Sequence, residues 1–505
     1  MSTNHKEKFR RAATAAFTDN AWSKRQAGSP VLRRKSHDHR PRLGFALTSA
    51  SALALALGST STPVRADELI DNQTVTVPGD QNSPWIINDH FVVGGTGQAT
   101  LIIQNGGIVD VNLAADIGAA VGSSGTVQIS GNGSALGVSG AIDIGDEGHG
   151  VVMVTDGADL TVDSNTYIGA GATSSGTLTV SGTGSTWTST FNVVVGALGT
   201  ASVTVSDGAL VNHGLDLFVG GVSGGGQVLV TGAGSTWNAL ANARVGTSGS
   251  GAFEVREGAS FHVTQDLFVG DQNLGPGLGG SVTVTGQGSK LTYDTMTVGH
   301  DGNGALRVED GATAGGAGQD VALGINATGQ GSVQISGAGS TLTADNLWVG
   351  NHGTASLSVD NGGKLVSDDG TVGRHASGTG TVSITGKGSL WTATGSLEVG
   401  LFGTGAVIVS GGGTVDLSSH LRIGEIAGSK GTVTVTGAGS AFNIGNWVRV
   451  GGQAEGDMFV ADGASVVQTG ELLIGSGTNV TGTAIVTGVG SSWQVLQNLV
   501  VSDAG

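Results

Sequence analysis

A motif that recurs about every 51 residues, eight times over, constrains this chain more than any other feature. One half of the unit reads Gly-x-Val-x-Val-Ser/Thr-Gly-x-Gly-Ser-x-Trp/Leu/Phe, opening at Gly125, Gly176, Gly226, Gly280, Gly331, Gly380, Gly431 and Gly482. The other half carries an Asp-Gly-Ala turn, as at Asp156-Gly157-Ala158, Asp207-Gly208-Ala209, Asp310-Gly311-Ala312 and Asp462-Gly463-Ala464. Both halves close in an apolar run ending in Val-Gly or Ile-Gly, such as Leu217-Phe218-Val219-Gly220 or Leu397-Glu398-Val399-Gly400. The structural unit is therefore roughly 25 residues in two alternating flavours. A period of this size means a solenoid, in which each repeat buries its apolar face only against its neighbours. Residues that recur in every repeat are scaffold, and a catalytic site has to stand out as an exception.

The segment 280–299 shows what the unit folds into. Val282 and Val284 alternate with Thr283 and Thr285, the period-2 pattern of a strand with one buried face. Gly286 and Gly288 permit a tight turn, after which Leu291 starts a second short apolar piece and Met296–Val298 a third. Three short strands per unit, separated by glycine corners, predict an all-β fold: a right-handed parallel β-helix of about sixteen coils from Gly97 onward. At about 4.8 Å per coil the rod is about 77 Å long. Residues 67–96, with Val75, Val77 and Phe91-Val92-Val93-Gly94, carry a degenerate coil pattern and read as an N-terminal cap. Glycine is abundant, with 93 in the chain, yet there is no Gly-X-Y period and only 6 prolines, so collagen is excluded.

Charge and cysteine content remove several functions. The chain has no cysteine, which rules out disulfides, thiolate metal sites and thiol nucleophiles. Residues 1–66 hold 12 of the 22 Lys+Arg and 3 of the 39 Asp+Glu, so the remainder carries 10 basic and 36 acidic groups, a net of −26. Such an acidic body repels phosphate backbones and excludes a nucleic-acid partner.

The first 66 residues read as an address. A basic segment with Arg33, Arg34, Lys35, Arg40 and Arg42 precedes the apolar stretch from Leu43 to Gly58, and Val64-Arg65-Ala66 follows with small residues at the cleavage-determining positions. This is the layout of a long secretory signal peptide cut after Ala66.

Candidate chemistry is sparse. The column Trp187, Trp237, Leu291, Leu342, Trp391, Phe442 and Trp493 swaps freely between Trp, Phe and Leu, which is the behaviour of core packing rather than of a sugar platform. Asp156, Asp207, Asp310 and Asp462 all occupy one turn slot, where Asp favours the local backbone conformation. His300, His352 and His375 fall in corner loops, where solvation is expected, without metal-ligand spacing. Gly315–Asp320 resembles a single calcium-binding nonapeptide, but that chemistry needs tandem copies. Gly221-Val222-Ser223-Gly224-Gly225 matches Gly-x-Ser-x-Gly only formally, since no helix follows. The sequence thus predicts no catalytic residue, no cofactor and no metal. One irregularity remains: the step from Gly226 to Gly280 is longer than the others, and the excess falls in Asp271–Gly279, which holds the one proline of the array, Pro276. Insertions in solenoids map to exposed loops.

The alternation of the Gly-x-Val-x-Val-Thr-Gly-x-Gly-Ser-x-Trp unit with the Asp-Gly-Ala unit resembles the repeat shared by type V secretion autotransporters and some PEP-CTERM proteins, over residues 97–505. The resemblance implies an exported β-helical passenger at the cell surface of a Gram-negative bacterium, carried by a C-terminal outer-membrane barrel. No barrel pattern is present in this chain, which stops inside a coil at Asp503-Ala504-Gly505, so the passenger reads as truncated. The expected function is a structural and adhesive rod with no catalytic site, its partner a ligand on a host or neighbouring cell. Two alternatives are weaker. A polysaccharide-degrading enzyme requires a charged cluster that breaks the period, and an ice- or crystal-binding solenoid requires a regular Thr ladder. The row Gln128, Thr179, Leu229, Thr283, Gln334, Ser383, Thr434 is too mixed for the latter.

Overall fold

The computed structural model describes residues 68–272, 279–477 and 480–501, and the expected signal peptide lies outside them. Fifty-two strands and no helix make up these residues: a leading strand, Glu68–Ile70, followed by seventeen triplets. The coil Thr200–Val219 is representative. A seven-residue strand, Thr200–Ser206, turns at Asp207-Gly208 into a four-residue strand, Leu210–His213; a corner then leads to the short closing strand Leu217–Val219. Each strand pairs in parallel with its equivalents one coil back and one coil on, with Thr200 beside Ser175 and Gly225, for example. The result is three parallel sheets wound into one β-solenoid. Sixteen coils start from Gln98 onward, as the repeat count requires, and Thr74–Val93 builds one more of the same three-strand design.

The interior follows from the period-2 pattern. Val203 and Val205 of the long strand, Val211 of the second and Leu217 and Val219 of the third all point inward and are essentially solvent-free. Each such position stacks on the same position of the next coil, so the core is a set of columns rather than a globule. Outward positions of the long strands are mostly Ser, Thr, Gln and Gly.

Two turn types join the first sheet to the second. In the Asp-Gly coils the turn residue itself has positive φ: Asp156, Asp207, Asp310 and Asp462 lie between 52° and 57°, as do Asn105, Asn361 and Glu257 at the same slot. The following Gly157 and Gly208 are also left-handed, at 84° and 82°, so the pair forms a turn that only Asn, Asp and Gly enter at low cost. Glu257 is the exception in that slot. In the other coils, Gly182 and Gly184 both take positive φ and place Ser185 inside the rod, where its side chain is fully buried.

That serine ties two coils together. Its hydroxyl donates to the carbonyl of Ser181, four residues back, at 2.7 Å, and accepts the backbone N–H of Gly157, in the Asp-Gly turn of the preceding coil, at 3.0 Å. All eight copies repeat the second bond: Ser134, Ser185, Ser235, Ser289, Ser340, Ser389, Ser440 and Ser491 accept from Gly106, Gly157, Gly208, Gly258, Gly311, Gly362, Gly412 and Gly463 at 2.9–3.1 Å. A buried backbone N–H must find a partner. The alternation of two coil flavours is the alternation of donor and acceptor.

Candidate functional site

The residues singled out from sequence are absorbed by packing. Trp187, Trp237, Leu291, Leu342, Trp391 and Phe442 form one fully buried column, and Trp493 at its end is half-buried. Three of the four indoles in this column donate to a polar residue at the end of the second strand one coil earlier: Trp237 Nε1 to His213 Nδ1 at 3.0 Å, Trp391 Nε1 to Ser367 Oγ at 3.0 Å, and Trp493 Nε1 to Gln468 Oε1 at 2.9 Å. Where the column holds Phe442, Leu136 or Leu291, the corresponding residue is Leu417, Val111 or Val263. Trp187 breaks this rule: the strand-end slot one coil earlier holds Val162, and the buried indole N–H has no partner. Burial of His213 depresses its pKa to about 3, so it is neutral and free to accept at Nδ1.

Three of the four turn aspartates are likewise committed. Asp207 accepts from Ser181 Oγ at 2.6 Å and Ser206 Oγ at 2.9 Å, bonds that lower its pKa. Asp310 and Asp462 accept from Thr285 and Thr436 of the preceding coil, each at 3.1 Å. Asp320, at the end of the nonapeptide-like segment, accepts from the backbone N–H and side-chain amide of Asn346, at 3.1 and 2.8 Å. Ser223 sits exposed at a corner between the third and first sheets. Among the described residues no group of three or more His, Asp or Glu side chains has the geometry to hold a metal ion.

The histidines depart from the sequence expectation of simple solvation. His300 Nδ1 lies 3.3 Å from both Asp271 Oδ1 and Asp301 Oδ2; its pKa is raised, first by the Asp271 hydrogen bond. Asp271 also receives Arg244 Nη1 at 2.7 Å, and the Arg244 guanidinium lies over the Phe268 ring. This cluster fixes the coil at the point where the insertion begins; residues 273–278 of that insertion lie outside the described residues. His352 and His375 stack in parallel, ring centroids 3.9 Å apart, on adjacent coils.

Three further features escaped the sequence reading. The first is a ladder at the corner before the closing strand: the N–H groups of Asn192, Asp216, Asn242 and Asp266 donate to the side-chain oxygens of Asn165, Asn192, Asp216 and Asn242, each one coil earlier, at 3.0–3.2 Å. The second is the outer face of the closing sheet, where large and charged residues collect: Tyr167, Phe218, Phe268 and Trp348, and the paired Glu398–Arg422, with Glu425–Arg449 beside it, at 2.7 Å each. Near its N-terminal end this face holds Asp116 and Asp143 on neighbouring strands, with His90 Nε2 3.1 Å from Asp116 Oδ2. The third is a shallow groove of about 720 Å³ along the first sheet from Ser175 to Ala305, lined by short Ser, Thr, Gly, Ala, Gln and Asn side chains.

No family model matches the chain, and no curated protein matches it. Among solved structures, the crystal structure of a TibC-catalyzed hyper-glycosylated TibA55-350 fragment is similar at 16% sequence identity, with a TM-score of 0.32, covering 85% of this chain and 99% of that one.

Proposed function

We propose that this chain is the exported, surface-exposed passenger of an autotransporter, acting as a structural and adhesive rod. One observation carries the reading. The eight Gly-x-Gly-Ser serines, three of the four column indoles and the turn aspartates Asp207, Asp310 and Asp462 are spent on holding coil to coil, and the outward rows are left as a largely neutral hydroxyl face. An extended surface of this kind suits contact with another surface at many weak points, where avidity replaces a single deep site. Export rests on the basic and apolar pattern of residues 1–66. The autotransporter assignment rests on the repeat.

The test has two arms. The reading frame, with whatever follows it in its source genome, is expressed in a Gram-negative host, and intact cells are treated with protease. Loss of the solenoid from intact cells, together with retention of beads coated with purified 67–505 on cell layers, is the expected outcome. Protease resistance on intact cells, or depolymerisation of polysaccharide by the purified chain, overturns the reading.

A further inference from the structure

The closing strands Ala115–Ile117 and Ile142–Ile144 are neighbours in the third sheet, and their register sets Asp116 directly beside Asp143. In-register residues on adjacent strands lie about 4.8 Å apart. It is the one place among the described strands where two carboxylates pair in register; the other acidic positions face Thr, Ser, Asn, Lys, Arg or apolar residues. The equivalent position holds Val92 one coil before Asp116, and Tyr167 then Val194 in the two coils after Asp143.

Neither carboxyl is free in water. Asp116 is 8% exposed, and Asp143 has one oxygen, Oδ1, fully enclosed without a hydrogen-bond partner. The groups that face the pair are few. His90, one coil earlier, contacts Asp116 at 3.1 Å, with Asp89 next to it; Asp146 and its neighbour Glu147 follow Asp143 at the corner; and Tyr167 lies on the far side, its hydroxyl 3.3 Å from Asn165 Nδ2. Among the described residues, one imidazole is thus the sole cationic group against Asp116, Asp143 and Asp146. A carboxylate with no donor and a like charge beside it is stable only when it holds a proton.

We propose that coils 85–168 form a proton-held latch: in acid Asp143 carries a proton and the Asp116–Asp143 seam stays shut, and as the proton leaves, like charges confront each other across the sheet and these coils open locally. The direction agrees with the electrostatics. Burial, followed by the charge of Asp116, pushes Asp143 up to about 8, and the same causes bring Asp146 to about 6. For an acid whose folded pKa is raised, the folded state binds more protons than the unfolded one between the two values, so stability is full below pH ~4 and declines as pH rises toward 8. His90, raised chiefly by its hydrogen bond to Asp116, acts with the same sign, because its favourable charge is lost as pH rises through its pKa. The latch is a property of these coils and stands independently of what the rod binds.

Hydrogen exchange of the full chain at pH 5.5 and pH 8.5, corrected for intrinsic rates, tests it. Amides of 85–168 are expected to lose about tenfold or more protection relative to those of 380–450, the equivalent of one pKa unit. Asp143→Asn, which keeps the shape and removes the charge, is expected to shrink that difference to the smaller part that Asp146 and His90 contribute. Should Asp143→Asn fail to fold by circular dichroism, Asp143→Val, the residue type at 92 and 194 in the same column, provides the comparison. Equal pH dependence in both regions of the wild type, or a difference that is undiminished in the folded variant, overturns the proposal.

Discussion

At the residue scale, the buried serine decides how the rod is held. Ser340 accepts from Gly311 N–H at 2.9 Å and donates to the Ser336 carbonyl at 2.6 Å, with no exposure at all. Ser340→Ala leaves the buried Gly311 N–H without a partner, while the Ser336 carbonyl keeps the Asp310 N–H, a cost of about 1–3 kcal/mol, whereas Ser332→Ala, on the exposed face of the adjacent long strand, stays within about 0.5 kcal/mol. Urea unfolding of the two variants separates them; equal midpoints sink the role given to the serine. The sequence shows this serine at the end of every Gly-x-Gly-Ser run but not what it does, because its partner lies one coil away and no local rule points to it. The positive φ of Asp156 and Asp207, by contrast, is local chemistry and legible from the Asp-Gly pair.

At the element scale, the second sheet couples each tryptophan to the strand before it. His213, Ser367 and Gln468 break the apolar pattern of their own strands and are intelligible only as acceptors for Trp237, Trp391 and Trp493. Trp391→Phe removes the donor that serves buried Ser367 along with some packing volume. Trp187→Phe removes an N–H that has no partner, so the smaller ring partly repays the lost volume. The second change is expected to cost at least about 1 kcal/mol less than the first, as read by thermal or urea unfolding. The hydrophobic column itself was visible in the sequence, since its members exchange Trp for Leu at a fixed period. The Asn/Asp ladder at the next corner was not: Asn165, Asn192 and Asn242 are scattered among variable corner residues, and only stacking shows that each one caps the next coil.

For the whole molecule, the period specified strand number, sheet number and coil count, because a chain of identical short-range contacts leaves little for tertiary structure to override. What it left obscure sits where the period is broken by a single residue: the Asp116–Asp143 pair, and the Arg244–Asp271–His300 cluster at the mouth of the insertion. The donor–acceptor alternation also sets the quantum of the fold. Removing residues 330–378 deletes one coil of each flavour and brings Ser389 against Gly311, so the shortened rod is expected to fold with near-native cooperativity. Removing 330–353 deletes one coil only, sets two Asp-Gly coils side by side and strips Gly311 of its acceptor. Circular dichroism melts of the two deletions, the shorter one being the less stable, check this; the reverse order contradicts it.

The serine bonds run in one direction only, from each Gly-x-Gly-Ser coil back to the Asp-Gly coil before it, and they are buried. Across the alternate junction the corner has no buried serine bridge; a single backbone bond, such as Gly182 N–H to the Ser206 carbonyl at 3.2 Å, is joined there by exposed side-chain contacts such as Ser181 to Asp207 and Thr436 to Asp462. The rod is therefore a string of coil doublets with a softer seam at every second step. Pulled from its ends, it is expected to give way seam by seam and to lengthen in strides of two coils, so that its strength in tension depends on how many seams it has to open.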